Sequence, residues 1–211
     1  MAPEISPDLV AGEDGLNRPR WATGSALLTD YYDTEWGLPV TSESGLLERV
    51  CLEGFQAGLS WATILRKRPA LREAFAGFDA AAVAAFGDGD VARLMADRRI
   101  IRNERKIHSA INNARATLRL RERGGLPRLV WSHQPEETIA PLRLSEVPTR
   151  DENSAALARE LKEAGFSFVG PTTMFAMMES IGVIDTHLVG SHRRGSSGLW
   201  RADGTRLRSP L

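Results

Sequence analysis

The chain has 211 residues, enough for one domain or for two small lobes around a shared cleft. Its 42% hydrophobic and 26% charged residues describe a folded globular protein, and a formal net charge of zero excludes recognition of nucleic acid by bulk charge, leaving only a local basic face. One cysteine, Cys51, excludes an intrachain disulfide and suits a reducing compartment. The sequence has no apolar run of about 18 residues, so no membrane span is expected. The start, MAPEISPDLVAGEDG, lacks the basic and apolar segments of a signal peptide, which makes cytoplasm the default location.

Residues 1–18 are rich in Pro, Gly and acids and read as a flexible extension. Thr41–Ser44 offers caps for a helix in which Leu46, Leu47, Val50 and Cys51 recur at helical spacing, with Gly54 and Gly58 weakening its end. Ser60 caps a further helix, WATILRKR, expected to stop at Pro69. Asp79 opens AAAVAAF, and Asp90 opens VARLMAD. From Asn103, the residues Ile107, Ile111, Ala114 and Leu118 form one stripe that ends at Gly124 and Gly125. The proline-bearing segment 126–150 reads as connection. Asp151 or Asn153 caps SAALARELKEA, closed by Gly165, and Pro171 starts TTMFAMMESI, closed by Gly182. The tail 191–211 carries five arginines against one aspartate and reads as loose, with Trp200 a possible anchor. With no alternating strand run, the expected class is all-α: a main domain over 19–190 between two flexible ends.

The stretch ELKEAGFSFVGPTTMFAMM is a helix, a turn through Gly170 and a second helix. The backbone amides of Gly170, Thr172 and Thr173 are free at a helix N-terminus, where the dipole favours an anion such as phosphate, and two threonine hydroxyls stand beside them. An ordinary helical turn has the same pattern.

Three further stretches are less ordinary: PRW at 19–21, DYYDTEWGLP at 30–39 and CLEGFQAGLSW at 51–61. Together with IIRNERKIHSAINNARA (100–116), LSEVPT (144–149) and GFSFVGPTT (165–173), they resemble the bacterial 3-methyladenine DNA glycosylase I family over about Arg18–His187. The resemblance implies an α-helical helix–hairpin–helix fold with a smaller lobe built from both chain ends. It also implies hydrolysis of the N-glycosidic bond of 3-methyladenine in double-stranded DNA, leaving an abasic site. That base is cationic while joined to its sugar, so a pocket for it, once the nucleotide is flipped out, needs aromatic walls and a hydrogen-bond acceptor. By the resemblance, Glu53 is the base-recognising carboxylate and Trp21, Tyr31 and Trp61 are the walls. Glu35 and Trp36 are assigned to an ion pair and to packing. Leu59 is expected to fill the gap left in the base stack, with Gly58 allowing close approach; an ordinary tight turn is the alternative.

The family usually holds a structural zinc through two Cys and two His. Here those positions are Pro19, Tyr32, His187 and Ser191, so no metal is expected, and the ends are expected to close by packing, with Tyr32 near His187. Asp185, in VIDTH, stands where related glycosylases place a catalytic Asp; it is expected to be catalytic with Glu53, or to cap the following turn. The only lysines, Lys67, Lys106 and Lys162, lie away from the hairpin turn and VIDTH, which argues against a lyase. The expectation is a monomeric, cofactor-free hydrolase acting on DNA, with two alternatives: a broader alkylpurine glycosylase, or a DNA-damage binder without catalysis.

Overall fold

The computed structural model describes residues 5–211. In these, a two-stranded antiparallel hairpin, β1 (Leu9–Ala11) and β2 (Asn17–Pro19), precedes nine helices. They are α1 (Ala26–Thr34), α2 (Glu43–Gln56), α3 (Trp61–Ala74), α4 (Ala80–Ala84), α5 (Asp88–Ala96), α6 (Glu104–Leu120), α7 (Gly125–Trp131), α8 (Glu152–Glu163) and α9 (Pro171–Ser180).

Helix α2 is the centre of the fold, and every residue from Leu46 to Phe55 in it is buried. It packs against α3, α6, α7 and α9. An amphipathic stripe would bury only one face; here the charged residues Glu48, Arg49 and Glu53 are buried as well. Glu48 and Arg49 are paired: Glu48 accepts from Arg68 at 2.5 Å and Arg72 at 2.8 Å, and Arg49 joins Arg68 in an ion pair with Glu35. Glu35 therefore has the structural ion-pair role expected of it, and the two guanidiniums overcome burial to hold its carboxyl below the ordinary range.

The capping signals place most helix starts. Ser42 Oγ accepts from the Gly45 amide at 3.2 Å, Ser60 Oγ from Thr63 at 3.3 Å and Asp79 from Ala82 at 2.8 Å. Asp151, not Asn153, caps α8 in a reciprocal pair with Ser154 (2.6 and 2.9 Å). Asp90 does not open α5, which starts at Asp88; its carboxylate instead reaches back to the Gly87 amide at 3.2 Å.

Other expectations give way to packing. Helix α3 runs through Pro69 to Ala74, because burying Leu71 and Ala74 outweighs the one backbone bond that the proline removes. Segment 126–150 contains α7, whose Leu126, Val130 and Trp131 are buried, with Pro127 in the first turn where its missing amide costs nothing.

Both ends carry structure where composition suggested looseness. Arg18 in β2 pairs with Asp14 at 2.7 Å and Asp33 at 2.6 Å. The Ser6 amide donates to Val189 O at 3.0 Å. In the tail, Trp200 is 1% exposed and donates its indole N–H to Gly182 O at 2.9 Å, the anchor its size suggested. Thr205 and Arg206 form isolated β-bridges with Glu137 and Trp200.

Candidate active site

A cavity of about 430 Å³ opens between α1, α2 and α9. Trp21, Tyr31, Glu53, Trp61 and Thr172 all line it, so residues up to 151 positions apart in the chain converge on one space. Tyr31 on α1 and Trp61, the first residue of α3, are 5.7 Å apart with planes inclined at 53°. Trp21 sits on the 3-10 turn Arg20–Thr23, edge-on to Trp36 at 5.5 Å. Leu144, Val147, Pro148 and Thr149, from the LSEVPT stretch, line the cavity too.

Glu53 is 6% exposed, yet its carboxyl has no hydrogen-bond partner among the described residues. Burial pushes its pKa up to about 8; Arg49, one helical turn earlier, opposes the rise and Glu179 adds to it. Burial thus disfavours the ionised form of this carboxyl, and a cation placed beside it would favour that form. Arg49 also lies 5.9 Å from the centre of the Tyr31 ring, fixing that wall from behind.

Leu59 lies in the turn between Gln56 and Trp61, both lining residues, but does not itself line the cavity and is 40% exposed. Gly58 has φ +81°, and a Cβ there would meet nothing within 4 Å. The glycine is required by its left-handed backbone and not by crowding within the protein. Lys106 on α6 secures this turn, donating to Phe55 O at 2.8 Å and Ala57 O at 2.7 Å.

The hairpin is held from the same helix. Asn113 brackets Ser167, accepting from its amide at 2.8 Å and donating to its carbonyl at 3.2 Å, and Asn112 donates to Gly165 O at 2.6 Å. The first bond of α9 runs from the Met174 amide to Gly170 O at 2.8 Å. The amides of Gly170, Thr172 and Thr173 therefore have no backbone acceptor among the described residues, as their place at a helix N-terminus dictates.

Asp185 is placed differently from the catalytic expectation. It is 4% exposed and does not line the cavity. Its Oδ1 accepts from the His187 amide at 3.0 Å and meets His187 Nδ1 at 2.7 Å; its Oδ2 accepts from the Gly195 amide at 2.9 Å. This matches the cap alternative, extended by an unforeseen tail contact: Arg194 adds an ion pair at 3.5 Å. Burial pushes Asp185 up, but His187, Arg194 and the Gly195 amide outweigh it and hold the carboxyl low. Burial likewise lowers His187 against the pull of Asp185. A neutral imidazole beside an ionised carboxylate carries its proton on Nδ1, which leaves Nε2, buried and unpartnered among the described residues, as a bare acceptor.

The four positions where the resemblance implies zinc do not fit that metal. Tyr32 Oη and Ser191 Oγ are hydrogen-bonded to each other at 2.6 Å, Pro19 has no donor side chain, and only His187 offers a ring nitrogen. No group of three or more His, Cys, Asp or Glu able to hold a metal occurs among the described residues. Aromatic packing fills the place: Tyr32 stacks on Trp36 at 5.6 Å and meets His187 edge-on at 5.5 Å, while Trp36 meets His187 at 4.6 Å. Trp36 packs as expected and also lines the cavity, as do Gln56, which lies in the stretch CLEGFQAGLSW without having been given a role, and Phe175 and Glu179, to which no role was given either. Helical spacing held the signal for two of them, since 172, 175, 176 and 179 share one face of α9.

The family model described as methyladenine glycosylase matches residues 21–194. The DNA-3-methyladenine glycosylase 1 of Escherichia coli (strain K12) is 45% identical over 180 residues, covering 83% of this chain and 95% of that protein. The DNA-3-methyladenine glycosylase of Haemophilus influenzae is 40% identical over 172 residues, 80% of this chain and 92% of its own. A crystal structure of 3-methyladenine DNA glycosylase I superimposes with a TM-score of 0.79 at 39% identity, over 82% of this chain and 97% of the other.

Proposed function

The chain belongs to the methyladenine glycosylase family, and from that premise we propose that its cavity receives a 3-methyladenine base swung out of DNA, with Glu53 as the recognising carboxyl. The protein is a DNA-3-methyladenine glycosylase I, which hydrolyses the N-glycosidic bond of the damaged nucleotide in base excision repair. The single observation that carries the role of Glu53 is its buried carboxyl, without a hydrogen-bond partner among the described residues, in a cavity lined by Trp21, Tyr31 and Trp61.

The chemistry follows from the charge of the lesion. A purine methylated at N3 is cationic while joined to its sugar and leaves as a neutral molecule, so the enzyme need not protonate it. It must hold a flat cation in register and tolerate charge moving to the sugar as the bond breaks. The aromatic faces attract the cation, and Glu53 ionises beneath it and accepts from its amino group. Water then attacks the sugar carbon and an abasic site remains. Asp185, with both oxygens engaged away from the cavity, serves as a positioning residue: it orients His187, whose ring supports Trp36 at the cavity wall.

For the DNA itself, the free amides of Gly170, Thr172 and Thr173 suit a backbone phosphate, which positions a duplex without reading its sequence. Leu59 suits the gap left by the extruded nucleotide. The deciding experiment is base release from methylated duplex DNA by wild type and Glu53→Ala. Wild type should release 3-methyladenine, and little 7-methylguanine; Glu53→Ala should lose at least two orders of magnitude in single-turnover rate while still binding abasic duplex. Unchanged release by Glu53→Ala would remove Glu53 from recognition, and binding without release by wild type would favour a non-catalytic binder.

A further inference from the structure

Glu179 on α9 is a second acid lining the same cavity as Glu53 on α2. These are the only carboxylates among the lining residues, and neither lysine nor arginine lines the cavity. One oxygen of Glu179 accepts from the Thr186 hydroxyl at 2.6 Å; the other has no hydrogen-bond partner among the described residues and is not sealed from the cavity. Thr186 itself lines the cavity, and its hydrogen bond orients the carboxyl. Burial raises Glu179 to about 7, with the Thr186 bond opposing, and Glu179 in turn contributes to the rise of Glu53. Asp151 adds to the rise of Glu179, and Glu179 bears on Glu53 within one cavity that also carries the rings of Trp21, Tyr31, Trp36 and Trp61. Like charges held close in low dielectric disfavour double ionisation, and a cation placed between them relieves both.

Resting on the reading of the cavity as a base pocket, we propose that Glu179 is a specificity-determining residue that, together with Glu53, makes this cavity select a purine bearing a positive charge over a neutral one of the same shape. Glu53 alone recognises an amino group on either; the second acid adds preference for the charge. This gives Glu179 a role that packing does not require, since an apolar or amide side chain at the same helix position would line the wall equally well.

The test compares two probes at pH 8 by quenching of tryptophan fluorescence, Trp21, Trp36 and Trp61 all lining the cavity. The probes are the 3,9-dimethyladeninium cation, in which a methyl group stands for the sugar, and neutral 3-methyladenine. Glu179→Gln should weaken the cation by about tenfold, equivalent to about 1.4 kcal/mol, and the neutral base by less than about twofold. Thr186→Val, which keeps the carboxyl, should retain the preference for the cation. Equal weakening of both probes by Glu179→Gln would mark a structural residue, and no change in either would mark a bystander; both outcomes overturn the proposal. Excision of 3-methyladenine by wild type is measured in parallel. Its absence would defeat the base-pocket reading itself, whereas its presence with an unchanged probe preference in Glu179→Gln defeats only the role of Glu179.

Discussion

Replacing Glu53 with Gln should stabilise the ligand-free protein at alkaline pH and abolish its activity at the same time. The carboxyl titrates near its ordinary value of 4.5 in the unfolded chain and at about 8 in the folded one. Between those values the native state binds a proton that the unfolded state has lost. The stability this contributes is fully present below 4.5 and is lost as pH rises through about 8. At about 1.4 kcal/mol per pH unit, wild type loses about 3–4 kcal/mol between pH 5 and pH 8 through this residue alone. A glutamine has no such titration. Urea unfolding of both proteins at pH 5 and pH 8, repeated in a Glu179→Gln background to remove the coupling between the two acids, measures the effect. The variant should gain on wild type by that amount across the interval. A difference that is flat with pH would show that Glu53 is already solvated and ionised, and the picture of a buried acid completed by a cationic base would fall.

The other expectations concern the frame around the cavity. Asn113→Ala removes its hydrogen bonds to the amide and carbonyl of Ser167 and leaves a part-buried amide unpaired, costing about 1–2 kcal/mol in thermal or urea unfolding and weakening binding to abasic duplex through the hairpin. Asp185→Asn should lower stability by about 1–3 kcal/mol through the loss of charge-assisted bonds to His187 and Gly195, yet leave single-turnover excision within about tenfold of wild type; a larger loss with the fold intact would restore a catalytic role. Tyr32→Phe deletes the buried bond to Ser191 and should cost about 1–2 kcal/mol, and elemental analysis of the purified protein should find well under one zinc per chain. Leu59→Ala should slow excision from duplex DNA while leaving the melting temperature unchanged, because the side chain is exposed.

Much of the site was legible from local signals. Ser42, Ser60, Asp79, Asn103 and Asp151 announce helix starts through side-chain capping, which depends only on neighbouring backbone and so survives without tertiary knowledge. Glu53, Trp21, Tyr31 and Trp61 were marked by the resemblance to the glycosylase family that stretches such as CLEGFQAGLSW carry; taken singly, each reads as an ordinary helix or core residue. Leu59 stands exposed in the turn before the Ser60 cap, where the sequence placed it. Helix α7 and the run of α3 past Pro69 were not legible, since burial of Trp131 and of Leu71 against distant segments decides them.

The sequence by itself determined the helical class, most of the helix starts and the loss of thiolates from the positions where the family holds zinc. Tertiary structure decided what each carboxyl does. Glu35, Glu48, Glu53, Glu179 and Asp185 are all acids near the interior. Two arginines neutralise Glu35, two more contacts hold Glu48, and His187 with the tail amide of Gly195 engages Asp185, while Glu53 and Glu179 face the cavity with oxygens to spare. The physical reason is that a carboxylate takes its role from the donors and charges within a few ångströms, and these come from residues far apart in the chain.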